Sequence, residues 1–481
     1  MIMGVREGQE RNRPTPSIRI PDKELEKLKE AATHLPELPA DASTRLYKEM
    51  ERGEENVRTQ VHNVYKTYCE RTLEEKISSE VEGKIEVGKK LIVVRRIRRN
   101  GEEKLMEETF EIEKKLSSER NISGDVYLAK KYWNNEFYGR VILKTPKATV
   151  EDDRDRIRLY KEFGKEIKNL DRFEGNHNIL HAAGMPFAWN SEPVIQMEYQ
   201  PWSIFDYISY LNDETAITAG VISVAIQCLN AIECMKNKID GEGPNGYAHV
   251  DLKAEHVRLD YRKNKNGEGE WVLIIIDLDS IVPAGEIPLN KLKYNGAYVD
   301  PEKFMRIEED NIRITAEPAE AIYSLGLILL HIIAKKTCDG LRKRAFRPVV
   351  NSDNGAQLID KEAMRKEIER VRMIDELNFL KVYYSNKVKR ILEGRFDQDP
   401  EPLKDFLARS NSYPEAKGVR GDAVAKQIGN RNEMIHPNVF VGIMECLRPR
   451  SERKGADALK ELFERLWEEY ARLSNLFDTS K

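Results

Sequence analysis

The six residues 271–276, Trp-Val-Leu-Ile-Ile-Ile, are all apolar, and the run stops on Asp277-Leu278-Asp279. A run this short reads as a strand, and without polar alternation it must be buried on both faces. Two carboxylates therefore stand where a sealed strand ends. Upstream, residues 257–260 predict a short partner strand across a Lys/Asn/Gly-rich turn. Before that ribbon comes Tyr247-Ala-His249-Val-Asp251-Leu-Lys253-Ala-Glu-His256, a loop with an aspartate and, two residues on, a lysine. This arrangement suits phosphoryl transfer: one carboxylate orients a hydroxyl, the lysine balances the transferred charge, and the second carboxylate holds a divalent cation. The plainer alternative is a surface turn with an ion pair beside a strand-end cap.

The surrounding pattern changes once along the chain. Residues 88–99 and 102–110 flank Asn100-Gly101, a pair suited to positive φ, and predict a β-hairpin. Strands follow at 123–130, 139–144 and 194–199, with one charged helix at 152–173 between them. Beyond residue 204 the periodicity is mostly helical, with apolar helices at 216–235 and 317–336. The fold class expected is α+β, a small β-rich part feeding a larger helical one. Residues 1–40 mix Arg, Pro and Glu without periodicity and read as a mobile arm, while 41–104 read as an extension of an amphipathic helix plus the hairpin.

Composition narrows the function class. Lys plus Arg (79) and Asp plus Glu (82) nearly cancel to a net charge of -3, so no electrostatic case exists for a nucleic-acid partner. The apolar stretches 216–235 and 323–334 are too polar or too short for a membrane span, and the N-terminus lacks an apolar signal region. Five cysteines without a C-x-x-C spacing argue against disulfides or thiolate zinc. A cytoplasmic location is the expectation. The Arg95, Arg96, Arg98, Arg99 cluster, diluted by nearby glutamates, reads as a solvated strand face.

In their order and spacing these motifs resemble the eukaryotic-type protein kinase superfamily, closest to its Ser/Thr-type catalytic loop, over about residues 108–475. His249-Val250-Asp251 is similar to His-Arg-Asp, and Asp277-Leu278-Asp279 to Asp-Phe-Gly. Val141-Ile-Leu-Lys144 resembles the strand that carries the nucleotide lysine, and Glu166 its helix partner. Residues 194–200 resemble the interlobe hinge. Further on, Asp300-Pro301-Glu302 resembles the end of the activation segment, and residues 444–453 the late motif whose arginine anchors it. The resemblance implies a bilobal fold at 105–476, with an N-lobe at 105–199, a C-lobe at 200–476 and a charged insertion at about 337–437.

It also implies ATP as cofactor, with Mg²⁺, or Mn²⁺ in its place, and a protein substrate or regulated partner protein. Asp251 and Lys253 take the catalytic positions and Asp277 the metal position. Lys144, Glu166, Gly124, Val126, Met197, Glu198 and Gln200 take the nucleotide positions. Glu302 and Arg453 are expected to form an ion pair. The departures matter too. Glycines are missing at Glu119 and Asn121, Val250 removes a phosphate-reading arginine, and Ala321 replaces a bracing aspartate. His256 stands where an asparagine would hold a second metal, and Mg²⁺ prefers oxygen. Either Asp279 or Glu255 supplies a replacement oxygen, or the site favours Mn²⁺. Two functions therefore stay open: Ser/Thr phosphotransfer, or a pseudokinase scaffold. Small-molecule phosphotransfer is a lesser branch of the first.

Overall fold

Six extended stretches between residues 90 and 198, interrupted by one helix, build one antiparallel sheet in the computed structural model. The structure describes residues 85–478 apart from 100–101, 118–123, 134–135, 147–152, 185, 190–191, 212–213, 264–268, 289–294, 306–312, 338–340, 342–343, 348, 352–357, 393–394, 396–397 and 420–434. The predicted arm at 1–40, the helix at 41–81, the Asn100-Gly101 turn, and Glu119 and Asn121 lie outside the described residues.

The strands are β1 (Lys90–Arg99), β2 (Glu102–Lys115), β3 (Asp125–Trp133), β4 (Glu136–Thr145), β5 (Phe187–Trp189) and β6 (Glu192–Glu198), in spatial order β1-β2-β3-β4-β6-β5. The hairpin has the expected register, Arg99 opposite Glu102. It is not a separate extension, however. β2 continues to Lys115 and pairs with β3, so the boundary expected at 104/105 falls inside a strand of the shared sheet. On one face Val93, Phe110, Ala129, Val141, Leu143 and Val194 pack together. On the other, Ile142, Ile195 and Met197 join the main core of the helical part. Alternate residues of β4 and β6 thus serve two cores, and Lys144 sits on the side facing the helices.

Helix α1 (Asp153–Arg172) connects β4 to β5 and presses Phe163, Ile167 and Leu170, spaced by one helical turn, into the main core. After the sheet come α2 (Ile204–Tyr210), α3 (Glu214–Asn237), α4 (Pro318–Thr337), α5 (Lys361–Leu392), α6 (Lys404–Ser410), α7 (Val439–Leu447) and α8 (Ala456–Asp478). By length and composition α3 suffices to cross a membrane, and 83% of its most apolar window is buried inside the protein. It packs against α4 and α8.

The expected charged insertion joins the main core where it is described, and its expected helical stretch at 361–386 is part of α5. Leu377, Phe379, Leu380 and Tyr383 of α5, with Phe406 and Leu407 of α6, belong to the main core. High charge hid this, because the apolar residues concentrate in the second half of α5. Small ribbons complete the fold. β7 (Trp202–Ser203), β9 (Val257–Lys263) and β10 (Gly269–Ile275) form one, β8 (Tyr247–His249) and β11 (Ile281–Pro283) a second, β12 (Gly285–Pro288) and β13 (Arg313–Ala316) a third, and β14 (Val350–Asn351) and β15 (Leu358–Ile359) a fourth.

Candidate active site

Two chain excursions meet at the edge of the main core. One leaves β8, passes Asp251 and Lys253, makes a single 3-10 turn over Ala254–His256 and enters β9. The other leaves β10, passes Asp277, makes a 3-10 turn over Leu278–Ser280 and enters β11, which pairs back onto β8. Backbone bonds stitch them together, from Val250 N to Ser280 O at 3.0 Å and from Ile276 N to His256 O at 2.9 Å. Asp277 has φ 66° and ψ 57°, and among the described residues no other non-glycine has positive φ. That left-handed geometry costs on the order of 1 kcal/mol and persists only where surrounding structure enforces it. The sealed β10 strand and the 3-10 turn enforce it here.

The groups converge from four segments. Lys144 Nζ of β4 donates to Glu166 Oε2 of α1 at 2.7 Å, and both are buried. It also lies 3.9 Å from Asp277 Oδ1 and 4.0 Å from Asp279 Oδ2. Lys253 Nζ donates to Asp251 Oδ2 at 3.1 Å, and His256 Nε2 stands 3.1 Å from Asp277 Oδ2. Lys165 Nζ donates to the Asp279 carbonyl at 2.6 Å, while Asn169 Nδ2 donates to the Leu278 and Ile281 carbonyls. Thus α1 holds the 278–281 turn while its Glu166 holds Lys144.

Charge is out of balance. Burial disfavours the charged form of Lys144, but Glu166, Asp279 and Asp277 outweigh it and hold the lysine protonated. One ammonium cannot neutralise three carboxylates. Burial first, then the neighbouring acids, push Glu166 and Asp277 upward against the pull of Lys144. Asp251 is also raised by burial, with Lys253 and the Asn295 N–H acting the other way. His256 falls well below the usual imidazole value, chiefly through burial and then through His249 and Lys253, so its ring is neutral at neutral pH. Burial likewise brings His249 down to about 4.

Most of the residues singled out in the sequence gather here. Among the described residues, Asp251, His256 and Asp277 bring ligand atoms within 4.8 Å of one another. Asp279 and Glu255, the expected replacements, do not join them: the Asp279 carboxylate faces Lys144, and Glu255 is exposed. Val126 pairs with Lys144 across β3 and β4. A Cβ on Gly124 would meet the Thr145 carbonyl at 2.5 Å, so the chain comes in hard against β4 at that point. Met197 is buried opposite Ile142. The Glu198 N–H donates to His181 O at 3.2 Å, and the Gln200 carbonyl accepts from the Arg258 guanidinium at 2.9 Å.

The expected Glu302–Arg453 pair does not form. Arg453 Nη1 lies 2.8 Å from Asp300 Oδ2, with both side chains 1% exposed, whereas Glu302 pairs with Arg372 at 2.8 Å and accepts from Arg450 N. The shorter aspartate, two residues earlier, is the one that reaches the buried guanidinium. Glu320, beside Ala321, turns to Lys303 and not to the loop. Sequence reasoning missed the groups that pin the 295–300 segment. Arg344 donates to the Gly296 and Val299 carbonyls. The Tyr298 hydroxyl lies 2.8 Å from His331 Nδ1 and faces the Ala254 N–H. No local motif marks Arg344 or His331, and Tyr298 stood in the 295–302 motif without its bracing role, because the partners lie far away in sequence. Comparison of the chain with models of known protein families and with curated proteins finds no match in either.

Proposed function

We propose that the protein is an ATP-dependent phosphotransferase of the protein kinase type, with a bilobal fold, moving the γ-phosphoryl group to Ser or Thr hydroxyls of a protein. One observation carries the reading: Lys144–Glu166, Asp251–Lys253 and Asp277, from four segments, converge at one site with the ion pairs already made. In this reading Asp251 orients the acceptor hydroxyl and accepts its proton. Lys253 offsets charge on the transferred group, and Lys144, held by Glu166, binds nucleotide phosphate oxygens. Asp277 and His256 would hold a divalent cation, which when bound supplies charge neutralisation of the phosphates. Catalysis by such residues is mostly positioning and electrostatics, which a fixed, buried cluster serves.

A second reading, a pseudokinase that scaffolds a partner protein, draws on a different observation. The backbone of Glu198 and Gln200, expected against adenine, is partly engaged within the protein: the Glu198 N–H donates to His181 and the Gln200 carbonyl accepts from Arg258. Radiolabelled ATP with the purified protein separates the two. Label transfer that vanishes in both Asp251→Asn and Asp277→Asn supports the transferase. Equal labelling in these variants, or none with Mg²⁺ or Mn²⁺ and candidate substrates, moves the function to the scaffold.

A further inference from the structure

The donor set at the crossing of the two excursions does not suit the cation that the proposed function brings to mind. Mg²⁺ takes hard oxygen ligands, keeps several waters and is poorly served by an imidazole nitrogen. Here the imidazole is built in. His256 is buried, its Nε2 is 3.1 Å from Asp277 Oδ2, and Asp251 lies within the same 4.8 Å cluster. Neighbouring ligands at right angles around a first-row dication, with bonds of about 2.1 Å, stand about 3 Å apart. The His256–Asp277 pair already has that separation.

Three further observations point the same way. Asp277 is held in a left-handed backbone conformation, and its Oδ2 lies beside the buried His256 ring. The oxygen donors that could have restored an all-oxygen site are turned elsewhere, Asp279 toward Lys144 and Glu255 to solvent. Four carboxyl groups, those of Glu166, Asp251, Asp277 and Asp279, crowd round this crossing, and a dication bound between Asp251 and Asp277 would relieve their mutual repulsion.

We propose that Asp251, His256 and Asp277 form a mixed nitrogen and oxygen site that selects a first-row transition dication of the Mn²⁺ class over Mg²⁺ and binds it without nucleotide. The inference rests on the proposed function only for the role of the metal, not for its binding. Two oxygens and one nitrogen from the protein leave open positions, which phosphate oxygens fill when nucleotide enters. Asp251, the donor nearest to Lys253, is then the ligand released to the acceptor hydroxyl.

The test uses the full chain without nucleotide and Mn²⁺ as the probe. Electron paramagnetic resonance titration counts bound Mn²⁺, and electron spin-echo modulation from ¹⁴N reports imidazole ligation directly. The wild type is expected to bind one Mn²⁺ with ¹⁴N modulation and to retain most of it against about a hundredfold excess of Mg²⁺, because Mg²⁺ demands hard oxygen ligands and Mn²⁺ accepts an imidazole nitrogen more readily. In His256→Asn the modulation should vanish and Mg²⁺ should compete at least about tenfold better, because an amide oxygen replaces the nitrogen. Asp277→Asn should weaken Mn²⁺ binding without abolishing folding, checked by thermal melts in chelator. No bound Mn²⁺ in the nucleotide-free wild type overturns the proposal. So does ¹⁴N modulation that survives His256→Asn, which would assign the nitrogen to His249, whose ring lies 5.8 Å away. Mn²⁺ binding without phosphate transfer would instead sink the transferase reading and leave this site standing.

Discussion

Arg453 decides how the 295–305 segment is tied to the helical part, and a pair of mutant cycles weighs its two candidate partners. In the structure Asp300 and Arg453 are each 1% exposed and 2.8 Å apart. Removing one member of a buried pair costs about 3–5 kcal/mol, because the other charge is left uncompensated. Arg453 keeps bonds to the Arg448 and Ala319 carbonyls, so Asp300→Asn is expected near the low end, about 3 kcal/mol. Glu302 and Arg372 are 10% and 30% exposed, and Glu302→Gln keeps an acceptor for Arg450 N, so about 1 kcal/mol is expected there. Arg453→Met, combined with each, completes the cycles. The Asp300–Arg453 coupling should be about 2–3 kcal/mol and the Glu302–Arg453 coupling under about 1 kcal/mol, read from urea unfolding curves. A Glu302–Arg453 coupling equal to or larger than the Asp300 value would refute the assignment and restore the pair expected from the sequence.

Two other perturbations probe the framework. Tyr298→Phe removes the hydroxyl between Ala254 and His331. It should cost about 1 kcal/mol of stability and, under the proposed function, lower turnover about fivefold while leaving the apparent KM for nucleotide in place; an unchanged turnover would discard the brace. Burial pushes Asp240 up, but the Tyr247 hydroxyl, the Gly243 N–H and the Arg172 guanidinium outweigh it and hold the carboxyl well below its usual range. A depressed carboxyl stabilises the fold above the ordinary value of about 3.9 and loses that contribution as pH falls below it. Asp240→Asn should therefore cost about 1 kcal/mol at pH 7 after solvent screening, and the gap to wild type should narrow progressively as pH falls from about 4 to 2; a gap that is constant with pH contradicts the assignment.

Much of the fold was legible because local periodicity carries it. The hairpin register followed from Asn100-Gly101 and its flanks, and the strands at β3, β4 and β6 and the helices α1, α3 and α4 lie within a few residues of the ranges that alternation and helical spacing gave. The apolar run before Asp277 correctly marked a strand sealed on both faces, since Leu273, Ile274 and Ile275 are fully buried. The split between extension and core was not legible. Whether β2 pairs outward only or also with β3 depends on strand order, which no local pattern encodes. The core role of α5 was hidden for a related reason, because its burial depends on which helices arrive beside it.

The sequence supplied the candidate site residues: Lys144, Glu166, Asp251, Lys253, His256 and Asp277. Asp251, Lys253 and Asp277 stood out as charges in the loop before the ribbon and at the end of an apolar strand, while Lys144, Glu166 and His256 came from the resemblance in motif order and spacing. Which of them meet was decided by tertiary structure. Asp279 turned to Lys144 and not to the His256 side, Arg453 took Asp300 over Glu302, and Tyr298 and Arg344 appeared as braces. A difference of two residues or one rotamer separates these outcomes, and hydrogen bonds demand partners within about 3 Å. Spacing along the chain fixes the inventory of charges, and only packing fixes distances that short.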